Sequence, residues 1–182
     1  MANTLTNLRK LEFSLDGVTG MSVEGINISN IKSVNDLSIT DGIKALNAFK
    51  NKSLNTSFIL NVRAKNPNGL QKDEHGVDAT INNMVWDLFL DGNKTISGDL
   101  ANPVTIKGDG AETVIPLRMS LDLLDYFGNR NYESLINLAL NIGGQNADPT
   151  TVKLSADPTV STKFGPIEYP GKINIEHMVT SR

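Results

Sequence analysis

The two histidines of the chain are candidate metal ligands, because acidic residues lie beside both of them. His75 follows Asp73-Glu74, and His177 follows Glu176. Neither has a second histidine at helical or strand spacing, as zinc sites normally require. We therefore expect both to be solvated loop residues, and we predict no metal site and no cofactor.

Five acidic residues could also do chemistry. Asp99, Asp109 and Glu112 flank glycine turns, but Gly108-Asp109-Gly110 lacks oxygen ligands at the steps of a calcium loop, so turn formation explains them better. Asp122 and Asp125 have the spacing of an acid/base pair, yet on a helix both would lie on one exposed side near its start. No pattern indicates a cleft that would shift their pKa values.

Other catalytic and binding classes are excluded by composition. The chain has no cysteine, which excludes thiol catalysis, disulfides and zinc–thiolate sites. G-x-S-x-G and P-loop motifs are missing. Seventeen basic and 20 acidic residues give a net charge of −3 without a basic block, which argues against nucleic-acid binding. We predict no catalytic residue, and thus a protein that is not an enzyme.

Alternation of apolar and polar residues predicts a β protein. The clearest strand, residues 56–65, carries Phe58, Leu60, Val62 and Ala64 on one side and runs into the turn Asn66-Pro67-Asn68-Gly69. Pro67 removes a ladder donor, and Asn68-Gly69 can supply positive φ values. We expect the asparagine side chains to bond to backbone groups at this turn.

Further alternating runs follow the same rule. Asp91-Gly92 predicts a hairpin, Gly98 a bulge or close backbone approach, and Pro116 an edge strand or bulge. These short, regularly spaced strands predict an antiparallel β-sandwich in a single domain, residues 1–182. The other predicted strands are 11–16, 26–28, 77–81, 86–90, 94–100, 104–106, 113–121, 152–156, 160–164 and 173–175.

Two short accessory helices interrupt the strands. Residues 41–50 place Ile43, Leu46 and Phe49 at helical spacing with Asp41 as a cap. Residues 130–142 predict a second helix, with residues 122–127 as its first turn. The apolar face of the second helix contains Leu135, Leu138, Ala139 and Ile142, and it stops at Gly143-Gly144.

Trp86 and Phe89 lie on opposite faces of one predicted strand. Trp86 shares its face with Leu88 and Leu90 and is expected to be a core aromatic between the sheets. Phe89 lies with Val85 on the other face, where an exposed apolar pair would mark a partner surface or be covered by a helix. We expect the helix at 132–142 to cover part of such a surface.

The ordered motifs resemble the late embryogenesis abundant group 2 family, also called the water stress and hypersensitive response (WHy) domain family. The resemblance rests on the strand that ends in Asn66-Pro67-Asn68, the pair around Asp91-Gly92 and the following Ser97-Gly98. Its core covers about residues 53–121, and a looser match extends over the closing strands, about 152–175. Residues 8–31 and the helix at 132–142 resemble the bacterial, lipoprotein-like branch.

This resemblance implies a fibronectin-III-like or immunoglobulin-like sandwich with no catalytic site, associated with desiccation and stress tolerance. It implies a location in the cell envelope or periplasm rather than the cytoplasm. Membrane attachment would require a lipid anchor, which this chain lacks. The resemblance then implies a lipid-anchored precursor from which the anchor segment has been trimmed. We expect a monomer that binds an unidentified protein or small molecule, and no nucleic acid. The alternatives are an adhesion or envelope assembly subunit that uses a sheet edge or apolar patch, and an enzyme with an unrecognised site.

Overall fold

The computed structural model describes residues 8–68, 76–143, 150–169 and 171–179. Ten strands and three α-helices follow along this part of the chain, with a 3-10 helix at Val34–Asp36. The helices are α1 (Ile39–Lys50), α2 (Leu123–Phe127) and α3 (Tyr132–Ile142). The strands are β1 (Glu12–Val23), β2 (Ile26–Asn27), β3 (Asn55–Lys65), β4 (Ala79–Leu90), β5 (Asn93–Gly98), β6 (Val104–Ile106), β7 (Glu112–Asp122), β8 (Thr150–Thr162), β9 (Gly165–Ile167) and β10 (Ile173–Val179).

The strands form two antiparallel sheets. The first sheet has the order β2-β1-β3-β7, and the second has the order β10-β8-β4-β5, with β6 paired to β4 and β9 paired to β8. This architecture confirms the predicted all-β, antiparallel sandwich with short accessory helices.

The core lies between the two sheets and is built by the predicted alternation. On β3, every second residue from Thr56 to Ala64 is buried. Trp86 is 5% exposed and is a core aromatic, as predicted. Because the inward side chains of both sheets meet in one cluster, burial of this apolar surface stabilises both sheets together. The central members of this cluster are Phe58, Leu60, Val62, Ile81, Met84, Leu88, Ile115, Leu117, Val152 and Leu154.

The two ends of the sandwich differ in what closes them. We call one end the helical end, because α1 leads into the start of β3, α2 follows the end of β7, and α3 contacts both β1 and β8. We call the opposite end the loop end. There, the segments 66–68, 76–78 and 107–110 connect the two sheets.

Two pairs of predicted strands are each one continuous strand. Residues 77–81 and 86–90 were predicted separately but belong to β4, where the polar residues Asn82 and Asn83 lie at a shift in register against β8. Residues 152–156 and 160–162 belong to β8, while residues 163–164 of the predicted strand form the turn before β9. Pro158 is in register with Met84 of β4, and on the other side of β8 it lies between the part that pairs with β10 and the part that pairs with β9, where a proline interrupts no pairing. The short strand β9 was not predicted.

Pro116 lies on a sheet edge, as predicted. Strand β7 is the last strand of the first sheet and pairs with β3 from Glu112 to Asp122. Proline is tolerated at such an edge, where a missing N–H does not interrupt a second ladder.

The prediction for the apolar face of α1 is wrong at one residue. The helix begins at Ile39, because the Ser38 hydroxyl accepts a hydrogen bond from the Asp41 backbone N–H at 3.1 Å. The N-cap is therefore Ser38, and the prediction of Asp41 as the cap is wrong. Ile43, which was predicted to face the core, is 55% exposed, and Ile39 is 84% exposed. Periodicity alone does not show which side of a helix has a neighbour.

The second predicted helix is two helices. Residues 123–127 form α2 as a separate element, with Asp122 as its N-cap rather than a residue of its first turn. Helix α3 buries its predicted apolar face and ends at Gly143. In the described part of the chain, no helix has the length and apolar content needed to cross a bilayer.

Candidate functional site

The outer face of β4 carries the densest group of interacting charges in the second sheet. The Asp87 carboxylate lies 3.1 Å from Lys172 Nζ and 3.5 Å from Lys94 Nζ, and it accepts a hydrogen bond from the Ser97 hydroxyl. We call Asp87, Lys94, Ser97 and Lys172, with Val85 and Phe89, the outer-face cluster.

Asp87 is the charged centre of this cluster near neutral pH. Its side chain is 14% exposed. The Ser97 hydroxyl, and after it Lys172 and Lys94, lower the pKa of Asp87 from 3.8 to about 2, because all three interactions favour the carboxylate. A carboxyl group with this pKa is a poor proton carrier near neutral pH. The cluster is therefore better suited to binding than to acid–base chemistry.

The apolar part of the outer-face cluster is only partly covered. Lys153 Nζ lies 4.4 Å from the centroid of the Phe89 ring, a cation–π contact that leaves Phe89 half-buried. Val85 is 49% exposed. The prediction that α3 covers this surface is wrong at Val85, since α3 lies at the helical end of the sandwich.

The predicted motif at the end of β3 is a hydrogen-bonded clamp at the loop end. Asn66 is fully buried, and its Nδ2 donates to the carbonyl oxygens of Val77 at 2.7 Å and Ile106 at 3.0 Å. Its Oδ1 accepts from the Asn68 backbone N–H at 2.9 Å and from Asn68 Nδ2 at 3.0 Å. Because Ile106 belongs to the second sheet, Asn66 ties the two sheets together.

Asn68 continues this clamp to the N-terminal segment. Its Oδ1 accepts from the Arg9 backbone N–H at 2.7 Å, and its Nδ2 donates to the Arg9 carbonyl at 2.8 Å. Pro67, between the two asparagines, is partly buried. Asn68 does not have a positive φ, so the prediction of a left-handed residue there is wrong. Gly69 lies outside the described residues.

The remaining motif residues also build the fold. Asp91 and Gly92 have φ values of 49° and 79°, which fit the predicted hairpin turn. At Gly98, an added Cβ would lie 2.4 Å from Cζ2 of Trp86, so the indole ring fills the space of a side chain. This contact between the backbone of Gly98 and the Trp86 ring is the close backbone approach predicted at this glycine. The Trp86 Nε1–H donates to the carbonyl of Asp99 at 3.3 Å.

The residues considered for metal binding or catalysis lie apart. Asp109 Oδ1 accepts from the Ala111 backbone N–H at 2.9 Å, as in a turn, and Glu112 pairs with Arg63 at 3.2 Å. Among the described residues, no three His, Asp or Glu side chains are grouped so as to hold a metal ion. His177 lies in strand β10, opposite Val152, so the prediction of a loop residue is wrong there. His75 and the side chain of His177 lie outside the described part.

Asp122 and Asp125 do not act as a pair. The Asp122 carboxylate accepts from the backbone N–H groups of Leu54 and Leu124, both at 2.9 Å, so it joins β3 to the start of α2. Asp125 is exposed. The prediction that both point to one exposed side near the helix start is therefore wrong for Asp122.

Sequence reasoning missed a polar groove along α3. It has a volume of 390 Å³ and is lined by Arg130, Asn131, Glu133, Ser134, Asn137, Leu138 and Asn141. The signal was the asparagine pair four residues apart, at positions 137 and 141, which places both amides on one side of a helix.

Comparisons with known proteins give no family assignment. No family model and no curated protein matches the chain. Solved structures that resemble it include a protein from Archaeoglobus fulgidus, with a TM-score of 0.35 and 14% identity over 97% of this chain and 98% of that one.

Two other solved structures resemble the chain. A candidate late embryogenesis abundant (LEA) protein, determined in solution, has a TM-score of 0.43 and 16% identity, covering 99% of this chain and 77% of that one. An X-ray structure of a structural-genomics target has a TM-score of 0.35 and 8% identity, covering 96% and 83%. Because all three TM-scores are below 0.5, these likenesses identify neither a family nor a function for this chain.

Proposed function

We propose that this chain is a non-enzymatic β-sandwich module of the stress and desiccation type, which acts outside the cytoplasm through weak binding or protective contacts. The observation that carries the proposal is the outer-face cluster. The exposed Val85 and the half-buried Phe89 lie beside Lys94 and Lys172, which are already paired with Asp87. Such a surface can contact partly unfolded chains without large desolvation of free charges.

The use of the family-like residues supports the same proposal. Asn66, Asn68, Asp91 and Gly98 hold strands, turns and the core in place. Side chains that are engaged in this way are not free to bind a substrate. The resemblance to the WHy domain family therefore rests on residues that build a scaffold, and contacts with partners are left to its surface.

A drying experiment tests the proposed function. A labile enzyme is dried and rehydrated with this protein, or with the same mass of serum albumin, and its recovered activity is measured. We expect better recovery with this protein than with albumin. We also expect Val85→Ser to reduce the benefit, because it removes the most exposed apolar group of the cluster.

Val114→Ser is the matched control. Val114 is 47% exposed on the outer face of the first sheet, nearly as exposed as Val85, but it lies on β7, outside the cluster. Protection no better than albumin would contradict the proposal, as would equal losses in both variants. Reproducible turnover of a substrate that disappears on changing one acidic or histidine residue would contradict the non-enzymatic assignment.

A second candidate function is an assembly subunit that uses the edge strand β7. One side of β7 pairs with β3 over 11 residues, and Val114 is exposed on it. Pro116 opposes this function, because it limits how another strand can pair along the edge. Analytical ultracentrifugation decides between the two: we expect a monomer at high concentration, whereas a dimer that Val114→Ser weakens would support assembly.

A further inference from the structure

The groove along α3 lies at the helical end and shares no residue with the outer-face cluster. The groove is open to solvent, and its volume of 390 Å³ has room for a small molecule. Asn137 and Asn141 lie on successive turns of α3, with Ser134 one turn before Asn137. The groove is therefore lined along one side of a single rigid helix.

Asn141 is the residue that points to a ligand. Its Oδ1 atom is buried and has no hydrogen-bond partner among the described residues. Leaving such an acceptor unpaired costs about 1–3 kcal/mol. Because nothing holds Oδ1, the amide can turn about its last torsion, which is broad for asparagine, and present either oxygen or nitrogen to the groove.

The other end of the groove is already in position. Arg130 Nη2 lies 2.9 Å from Asp91 Oδ2, and the guanidinium lies 4.8 Å from the centroid of the Phe127 ring. Asn131 Oδ1 accepts from the Ser134 backbone N–H at 2.8 Å, which leaves its Nδ2 as a donor. These contacts fix the wall before any ligand binds, which lowers the cost of binding.

The chemistry of the wall favours a neutral ligand. The charge of Arg130 is balanced by Asp91, and Glu133 would repel an anion. The remaining polar groups are amides and a hydroxyl, which both donate and accept hydrogen bonds. We propose that this groove binds a neutral polyhydroxylated molecule, a sugar or a polyol, whose hydroxyl groups bond to the amides of Asn131, Asn137 and Asn141.

Titrations followed by two-dimensional ¹⁵N NMR test this proposal. Sucrose and sorbitol are added separately to the labelled full chain, up to about 50 mM, roughly fifty times an expected Kd of about 1 mM. Glycine betaine, a small osmolyte without hydroxyl groups, is the control probe. We expect saturable shifts in the side-chain amides of Asn137 and Asn141 with sucrose, sorbitol or both, and none with betaine. A stronger response to sucrose would show that the groove prefers closed sugar rings, and a stronger response to sorbitol that it prefers open-chain polyols.

A pair of variants separates the site from general solvent effects. Asn141→Leu removes the unpaired acceptor and should fold, and we expect it to weaken the response at least tenfold. Asn47→Leu changes an exposed asparagine on α1 and should leave the response unchanged. The proposal would be overturned by shifts that rise linearly across the whole surface, by no response to either compound, or by a response that persists in Asn141→Leu.

Discussion

Asn66 at the loop end and Asn141 at the helical end are the same residue type in opposite situations. Asn66 donates two hydrogen bonds and accepts two, all within the protein. Asn141 has a buried oxygen with no partner in the described part of the chain. A polar side chain with all its hydrogen bonds made helps to specify the fold. A buried polar atom without a partner is unfavourable for folding, and such unfavourable features often occur at binding sites.

The same contrast extends beyond these two residues. The loop end is closed by hydrogen bonds, including one from the Gly108 backbone N–H to Asp78 that lowers the pKa of this carboxyl. The helical end combines apolar packing with the Asp122 bonds between β3 and α2. Within the described residues, the Tyr132 hydroxyl there also has no hydrogen-bond partner, and burial raises its pKa. It also leaves Ile39 exposed. The hydrogen bonds of the loop end thus hold the two sheets together, whereas the helical end presents side chains that can contact other molecules.

The largest expected effect would break the loop end. Asn66→Ala leaves the carbonyls of Val77 and Ile106 and the N–H of Asn68 without their partner, at about 1 kcal/mol each, so we expect a loss of about 3 kcal/mol. For a chain of this size, the melting temperature should fall by about 10 °C. Calorimetry measures it, with Asn61→Ala on the outer face of β3 as a control. This control loses one exposed hydrogen bond, to Thr19 at 3.2 Å, and should lower stability by less than about 1 kcal/mol. An unchanged melting temperature for Asn66→Ala would contradict the clamp.

A smaller loss is expected between the two ends, where Gly98 lies under Trp86. The added Cβ of Gly98→Ala would lie 2.4 Å from the ring, so the indole or the strand must shift, at a cost of about 2 kcal/mol. Gly42→Ala is the matched control, because its Cβ would meet nothing within 4 Å and alanine favours the helix α1. Urea unfolding should show a loss for Gly98→Ala and none for Gly42→Ala. Equal stability of the two variants would mean that the ring moves freely.

At the helical end, we expect a substitution that raises the stability instead of lowering it. Asn141→Leu replaces an unpartnered acceptor with an apolar group, so we expect a gain of about 1 kcal/mol in the free energy of unfolding. Chemical denaturation without sugar or polyol measures this gain. A loss of stability would show that the Asn141 amide is bonded in solution, and it would remove the contrast between the two ends.

The smallest effect is expected on the outer face and depends on pH. The folded pKa of Asp87, about 2, is below its ordinary value of 3.8, so its contribution to stability is complete above about pH 4 and is lost as the pH falls toward 2. The difference in unfolding free energy between the wild type and Asp87→Asn should therefore shrink over this interval. Urea unfolding at several pH values follows it. A difference that is constant from neutral pH to about pH 2 would show that Asp87 is not held by Ser97, Lys94 and Lys172.

The sheets could be predicted from the sequence because burial alternates along them with a period of two. Strands β3 and β7 were found within one residue of their ends, and Pro116 marked the edge. Asn82-Asn83 and Asp157-Pro158 have the composition of turns, yet they lie within β4 and β8, since local residue types do not show which strand lies opposite. The predicted burial of Ile43 was wrong for a similar reason, because an apolar stripe on a helix does not reveal whether another element covers it.

The candidate sites were harder to predict than the strands. Phe89 and Val85 were placed on the outer face by alternation, but Lys172 joins Asp87 from a segment 85 positions away, which no local pattern shows. The groove depends on an unpaired oxygen of Asn141, and pairing is a property of the folded chain. The clamp at Asn66 was expected to bond to the backbone, but its bond to β6 required the second sheet to be in place.

Urea unfolding of Asn66→Ala and Asn141→Leu, measured side by side against the wild type, tests the contrast between the two ends most directly. The account predicts opposite signs: a loss of about 3 kcal/mol for the first variant and a gain of about 1 kcal/mol for the second. Changes of the same sign in both variants, or no change at Asn66, would contradict the claim that the loop end holds the fold and the helical end is free to bind.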